Sequence, residues 1–293
     1  MCILFWLAAL SGTRARAEHL DTGKIENIIG LKGALNTNEG VFKVTAPRND
    51  VKVSVDGMTI SPFMGLASWA AFTEQKTDDV MVMGDTVLFQ DEVNPVMSVA
   101  LDNGLAVTAL HNHFFYDEPK VYFMHISGQG SAQNLATAVR KVWDKIKEIR
   151  AANPQPARAF SGASLPANNS ITGKIVEGNL GIKGQADHGM FKIVIVRTTK
   201  MPCGCEMGKD MGVNTWAAFA GNDNNAVVDG DFAVLEGELQ PVLKSLRHDG
   251  INIVAIHSHM TQENPRILFF HYWGRGKAAD LAKALREALA KQK

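Results

Sequence analysis

The chain has 293 residues, 46% of them hydrophobic and 20% charged, with thirty basic groups balancing thirty acidic ones. This is the composition of an ordinary folded protein with enough length for two cores. The basic residues are interleaved with acids, as in "RKVWDKIKEIR", so no phosphate-binding face and no nucleic-acid partner is expected.

The N-terminal "MCILFWLAALSGTRARAEHL" carries an apolar run from Cys2 to Leu10, then Ala15-Arg16-Ala17 before Glu18. Residues 1–18 read as a signal peptide with an A-x-A cleavage site, which makes the mature chain periplasmic or secreted; the competing reading is an apolar N-terminal arm. Nothing later approaches the roughly 18 consecutive apolar residues that span a bilayer, so the mature chain is expected to have no integral membrane segment.

Further along, "GVFKVTAPRNDVKVSVDG" alternates as two strands with a turn at Pro47 to Asp50. "DEVNPVMSVALDNG" reads as a helix, with acids at its start, Pro95 in its first turn and Gly104 after its end. "LAVTALHNH" and "KVYFMHISG" follow as strands joined by a polar turn, and "SAQNLATAVRKVWDKIKEI" places Leu135, Val139, Val142 and Ile146 at helical spacing. The segment 151–169, rich in Pro, Ala, Ser and Asn, reads as a linker.

Beyond the linker the pattern repeats. "HNHFFYDEPKVYFMHISGQG" (111–130) aligns without a gap to "HSHMTQENPRILFFHYWGRG" (257–276), with seven of twenty positions identical, three of them His. "SWAAF" (68–72) matches "TWAAF" (215–219), and "GDTVLFQDEVNPVMSVALDNG" (84–104) matches "GDFAVLEGELQPVLKSLRHDG" (230–250). The expected organisation is repeat domain 1 over 19–150 and repeat domain 2 over 170–293. Each is an α+β unit in which helices pack on a largely antiparallel sheet.

Side chains alternate faces along a strand, so His111 and His113 share a side. If the hairpin turns about Glu118, His111 lies opposite His125, and all three imidazoles form one set; His257, His259 and His271 form the same set in the second repeat. A three-nitrogen set with an open position suits zinc first, with copper or iron as alternatives. Asp117 or Glu118, and Glu263 at the aligned position, are the candidate bases or additional ligands. The competing reading is a structural histidine network.

"MPCGCEMGKDMG" (201–212) holds Cys203 and Cys205 among three Met, with no counterpart in the first repeat. A soft-metal site, a strained disulfide and free thiols all remain open readings. Glu92 and Glu238 stand at helix starts, where a carboxylate complements the dipole, the other reading being a partner to the histidines. Trp69 and Trp216 read as core anchors or pocket walls. The absence of G-x-S-x-G disfavours serine hydrolase chemistry.

The stretches "GLASWAAF", "MGDTVLFQDEVNPVM", "LHNHFFYDEPKVYFMH" and "IHSHMTQENPRILFFHYWG" resemble the bacterial LppY/LpqO-like proteins, a secreted or lipoprotein family of unknown function. The resemblance implies export and two repeats, but no reaction, and the chain lacks the lipobox cysteine of the lipoprotein members. The expectation is an exported metal-binding protein. Two functions remain open: a metal-dependent hydrolase acting on a small-molecule substrate, or a non-catalytic copper or zinc carrier or sensor. A metal-free ligand-binding module is the third reading.

Overall fold

The computed structural model describes residues 20–75 and 79–292, so the expected signal peptide lies outside the described residues. The first repeat opens with α1 (Thr22–Ile29), whose first turn is capped by the Asp21 carboxylate accepting from Lys24 N at 2.9 Å. It continues through β1 (Gly33–Asn36), β2 (Val41–Pro47), β3 (Val53–Val55), β4 (Met58–Ile60), β5 (Ala67–Glu74), β6 (Val80–Phe89), α2 (Gln90–Asp102), β7 (Ala106–His111), β8 (Asp117–Glu118), β9 (Val121–Gly130) and α3 (Ala132–Ala152). The second repeat runs through α4 (Gly173–Leu180), β10 (Gly184–Asp187), β11 (Met190–Val196), β12 (Thr199–Lys200), β13 (Glu206–Met207), β14 (Asn214–Asn222), β15 (Asn225–Leu235), α5 (Leu239–His248), β16 (Asn252–His257), β17 (Ile267–Gly276) and α6 (Ala278–Leu289). The fold is α+β, built from two repeated regions around a large antiparallel sheet.

That sheet has twelve strands in the order β1-β2-β5-β6-β9-β7-β16-β17-β15-β14-β11-β10, a sequence that reads the same from either end once the repeats are equated. The repeats therefore meet at β7 and β16, joined at Leu110 and Ile256. The buried faces of the six helices among the described residues form one apolar cluster with alternate residues of the sheet, including Val107 and Leu110 from one repeat and Ile253 and Ile256 from the other. The sequence boundary at 151–169 thus separates two repeats that share a core. Residues on the opposite, open face collect in two smaller clusters, around Phe89 and Phe123 in the first repeat and Phe269 and Val213 in the second.

Two side-chain amides hold the seam. Asn94 of α2 donates to Ile253 O at 3.1 Å and accepts from Ile253 N at 2.7 Å. Gln240 of α5 does the same to Val107, at 2.8 Å and 2.9 Å. Each helix thereby satisfies the backbone of the other repeat's inner strand, where the strand-to-strand ladder is missing.

One expected pairing differs. β2 and β3 do not form a hairpin: β2 pairs with β1 and β5, while β3 pairs with β4 and β8 in a small separate sheet. The segment at Pro47 to Asp50 is spent instead on Arg48, whose guanidinium is drawn inward to Glu92 and Asp50.

Candidate metal centre

The histidine hairpins form, with a shifted register. His111 pairs with Phe123, and His125 pairs with Ala109, so the turn centres on Asp117 and not on Glu118. An extra residue in β7 between Val107 and Ala109 bulges the strand, and the same bulge recurs in β16 between Ile253 and Ala255. The displacement from the expected pairing is two residues, and a shift of two preserves the face. His111 and His125 therefore remain on the same side, the open face of the sheet.

In the second repeat a carboxylate joins them. Asp231 on β15 lies directly across from His271 on β17, which in turn lies across from Ala255 on β16, two residues before His257. His257 Nε2 is 3.1 Å from His259 Nε2, and Asp231 Oδ2 is 3.3 Å from His259 Nε2 and 4.0 Å from His257 Nε2. Donors held tetrahedrally at about 2.0–2.1 Å from zinc lie about 3.3–3.4 Å apart. The three donors therefore need to move only by tenths of an ångström to share one ion. Among the described residues, this is the group of three whose ligand atoms lie within 4.8 Å of one another.

The surroundings orient these donors. His259 Nδ1 donates to Gly212 O at 3.2 Å, which leaves its Nε2 as the lone pair. His259 also stacks on Phe269, with centroids 3.5 Å apart. Burial, assisted by the neighbouring His271 and His259 rings, pulls the His257 imidazole down to about 4. Burial likewise raises the Asp231 carboxyl, against the pull of His271 and His259, and Asp231 Oδ1 is buried with no hydrogen-bond partner. A divalent cation at their focus favours both the unprotonated rings and the ionised carboxylate.

The expected third histidine takes another role. His271 stacks nearly parallel on His257, with centroids 4.8 Å apart at 13°, and its Nδ1 donates to Gly230 O at 3.3 Å. Parallel rings do not aim their nitrogens at one point, so the third ligand-type atom grouped with His257 and His259 is a carboxylate oxygen of Asp231 and not a nitrogen of His271. Asp231 was missed from sequence because it comes from a strand 26 residues before His257. The signal was present in the Gly-Asp pair that opens both "GDTVLFQ" and "GDFAVLE". The glycine is required because a Cβ at Gly230 would meet the Tyr272 hydroxyl at 2.1 Å.

The first repeat places Asp85, His111, His113 and His125 at the matching strand positions but turns the rings differently: His111 stacks nearly parallel on His113 at 14° and is tilted 34° from His125, whereas His257 is tilted 41° from His259 and nearly parallel to His271. Asp85 lies across from His125; the His111–His113 and His111–His125 centroids are each 5.2 Å apart; and His113 stacks on Phe123 at 3.3 Å. Burial, with His111 beside it, lowers the His113 imidazole, while Asp85 pulls the other way.

The expected carboxylates of the turns do other work. Asp117 is buried and accepts from Val121 N at 2.7 Å and Lys120 Nζ at 2.8 Å, holding the turn. Glu263 accepts from Ile267 N at 3.3 Å at the equivalent place, and Glu118 points to Arg158 at 2.9 Å. In the second repeat the carboxylate that lies beside the histidines is therefore Asp231, while Glu263 holds the turn. Glu92 and Glu238 cap helix starts, accepting from Phe89 N at 2.8 Å and Leu235 N at 2.9 Å. Trp69 and Trp216 are not core residues: they sit on the open face across from Asp85 and Asp231, beneath the ammonium groups of Lys43 and Lys192.

Cys203 and Cys205 are free and exposed at the tip of the β12–β13 hairpin, so the disulfide reading is not what the structure holds. They contribute to no cluster of metal-binding side chains among the described residues. A thiol hydrogen bond from Cys205 lowers the Cys203 thiol and raises Cys205. No described helix is long and apolar enough to cross a membrane.

Comparison with known proteins adds a family but no activity. No curated protein matches the chain. Among solved structures, a double-ringed trimeric shell protein from the RMM microcompartment is 12% identical over 73% of this chain and 81% of its own, with a TM-score of 0.16, too low to carry an argument. A family model described as Domain of Unknown Function (DUF1259) matches residues 23–145 and again 174–291, the same two repeats found by self-comparison. The chain belongs to that family.

Proposed function

We propose that the protein binds a divalent transition metal, zinc in preference to copper or iron, through Asp231, His257 and His259, and that it works outside the cytoplasm. The convergence of three donor atoms at separations of 3.1–4.0 Å carries this reading. The first-repeat set of Asp85, His111, His113 and His125 is a second candidate, with His111 and His113 stacked at 14° and so needing to turn before they could share an ion. Export rests on the N-terminal sequence and on the resemblance to LppY/LpqO-like proteins.

Three protein donors leave a coordination position for water or a substrate group. That arrangement suits hydrolysis of an ester, amide or similar bond in a small molecule, with the metal supplying an activated water. A carrier or sensor is the second reading. It is favoured by the exposed Cys203–Cys205 pair, whose hairpin is tied to the histidine hairpin by hydrogen bonds between Lys200 and Asn264 at 2.9 and 3.1 Å.

The test is metal content by mass spectrometry after reconstitution with zinc, copper and iron. Wild type is expected to retain metal that the pair His257→Ala with His259→Ala loses. A wild type that stays empty with all three metals leaves the histidines as a structural network.

A further inference from the structure

At the seam, where β16 lacks a β7 neighbour over its first residues, a pocket of about 390 Å³ opens between α2, β17 and the linker. Its walls include Val93, Tyr122, Val254 and Trp273, and the linker contributes Phe160, which is 57% exposed. Asp229 and His271 complete it on the open face of the sheet. His271 is the link to the metal centre, because it lines the pocket and also stacks on His257 at 4.8 Å. Asp229 and Trp273, paired across β15 and β17, each stand two residues along the same face from Asp231 and His271. The pocket therefore runs from Val93 and Tyr122 on the helix-covered face of the sheet to Asp229, Trp273 and His271 on the open face, where it adjoins the three donors.

We propose that this seam pocket holds the organic part of the molecule whose ligating end reaches the metal, an inference that rests on the metal-binding reading above. The occupant is defined by the walls: an apolar body the size of one aromatic ring, neutral or cationic and not anionic, because exposed Asp229 is the lining carboxylate and Tyr122, Phe160 and Trp273 offer aromatic surface. His271 is then a positioning residue that separates the two compartments. A larger pocket of about 660 Å³, between α2, α5 and α6, touches none of the hairpin histidines, so size alone does not select it.

The experiment uses the full zinc-loaded chain and titrates it calorimetrically with acetohydroxamate, then with benzo-, phenylaceto- and 3-phenylpropionohydroxamate. All four share the metal-binding head, and the series varies the distance to the ring. At least one phenyl compound is expected to bind roughly tenfold or more tightly than acetohydroxamate, the gain for burying a ring-sized apolar group. Phe160→Ala and Val254→Glu, both at exposed positions, should erase that advantage while leaving acetohydroxamate affinity unchanged. A carboxylate placed on the ring should weaken binding. If zinc is held and all four hydroxamates bind alike, the pocket inference is overturned alone. If the wild type holds no zinc, the metal reading falls and takes this one with it.

Discussion

The two histidine hairpins place their rings at matching strand positions, yet they differ in how the site is closed. In the second repeat, the loop before β14 brings Gly212 O onto His259 Nδ1 and fixes the ring. Its counterpart in the first repeat, Gly65, ends a turn that carries Phe63 fully out into solvent. Ring positions come from the strands, which are copied; ring orientation comes from the covering loop, which has diverged. A metal site needs both, since a histidine that can rotate must lose that freedom on binding.

The largest expected effect breaks this comparison directly. Asp231→Asn, or His257→Ala with His259→Ala, should abolish stoichiometric zinc, with affinity falling by more than the roughly 100-fold that losing a mere orienting partner can cost. His111→Ala with His113→Ala should leave the second-repeat zinc in place. Equal losses from the two pairs, read by metal analysis, would show that the hairpins share one ion and that the asymmetry of the loops is irrelevant.

The repeats also differ in their buried charge. Glu92 is fully buried between Arg48 and Arg150, whereas Glu238 faces Arg197, whose side chain is 18% exposed. Burial raises the Glu92 carboxyl while the Arg48 contact lowers it. Glu92→Gln should therefore cost about 2–4 kcal/mol, because Arg48 and Arg150 lose the buried carboxylate they share and keep only Asp50 and Asp91 as counter-ions. Glu238→Gln should cost less, about 1–3 kcal/mol. Urea unfolding measures both, and a reversed order would mean that solvent reaches Glu92.

The seam amides come next in size. Asn94→Ala and Gln240→Ala should each cost about 1–3 kcal/mol by leaving a buried backbone N–H and C=O unpaired. Because the repeats share one core, the protein should still unfold in one transition in either single variant. Two resolved transitions in the double variant would show that the amides, and not the common core, couple the repeats.

Much of this was legible in the chain, for identifiable reasons. The repeat, the helices and the shared face of His111 and His125 follow from periodicity, which survives a register change of two residues. Hidden from sequence was anything set by sheet order. Asp85 and Asp231 reach the histidines only because β6 lies beside β9 and β15 beside β17, and the alignment displayed their Gly-Asp pairs without saying which strands would be neighbours. The acids close in sequence, Asp117 and Glu263, were the natural candidates, but a turn of that length needs its backbone amides satisfied locally, and these carboxylates do so. The bulge residues Thr108 and Val254 carry no sequence mark that distinguishes them from ordinary strand positions.

Acidity separates the hairpins more gently. With the folded His257 pulled down to about 4 against an ordinary 6.5, the unfolded chain binds the extra proton between those values. The metal-free protein should therefore lose stability as pH falls from about 6.5 to about 4, with no further loss from this group below that. Long-range nitrogen–proton NMR of the metal-free protein should find His257 still unprotonated at about pH 5. A His257 midpoint near 6.5 would mean that its ring is hydrated and free to turn away from Asp231.

The smallest effect belongs to the one feature that the first repeat lacks altogether. Cys203 and Cys205 are exposed, touch no hairpin histidine through a side-chain bond, and interact chiefly with each other. Cys203→Ser with Cys205→Ser should leave both the unfolding midpoint and the zinc content of the histidine site unchanged. Their asymmetry is still measurable. The Cys205 thiol donates to Cys203 and lowers it, so at neutral pH Cys203 carries more thiolate and should be alkylated by iodoacetamide ahead of Cys205, as peptide mass spectrometry can resolve. If the double serine variant instead loses zinc, the hairpin reaches the histidines in solution, and the second repeat owes its metal to the thiols as well as to the Gly212 loop.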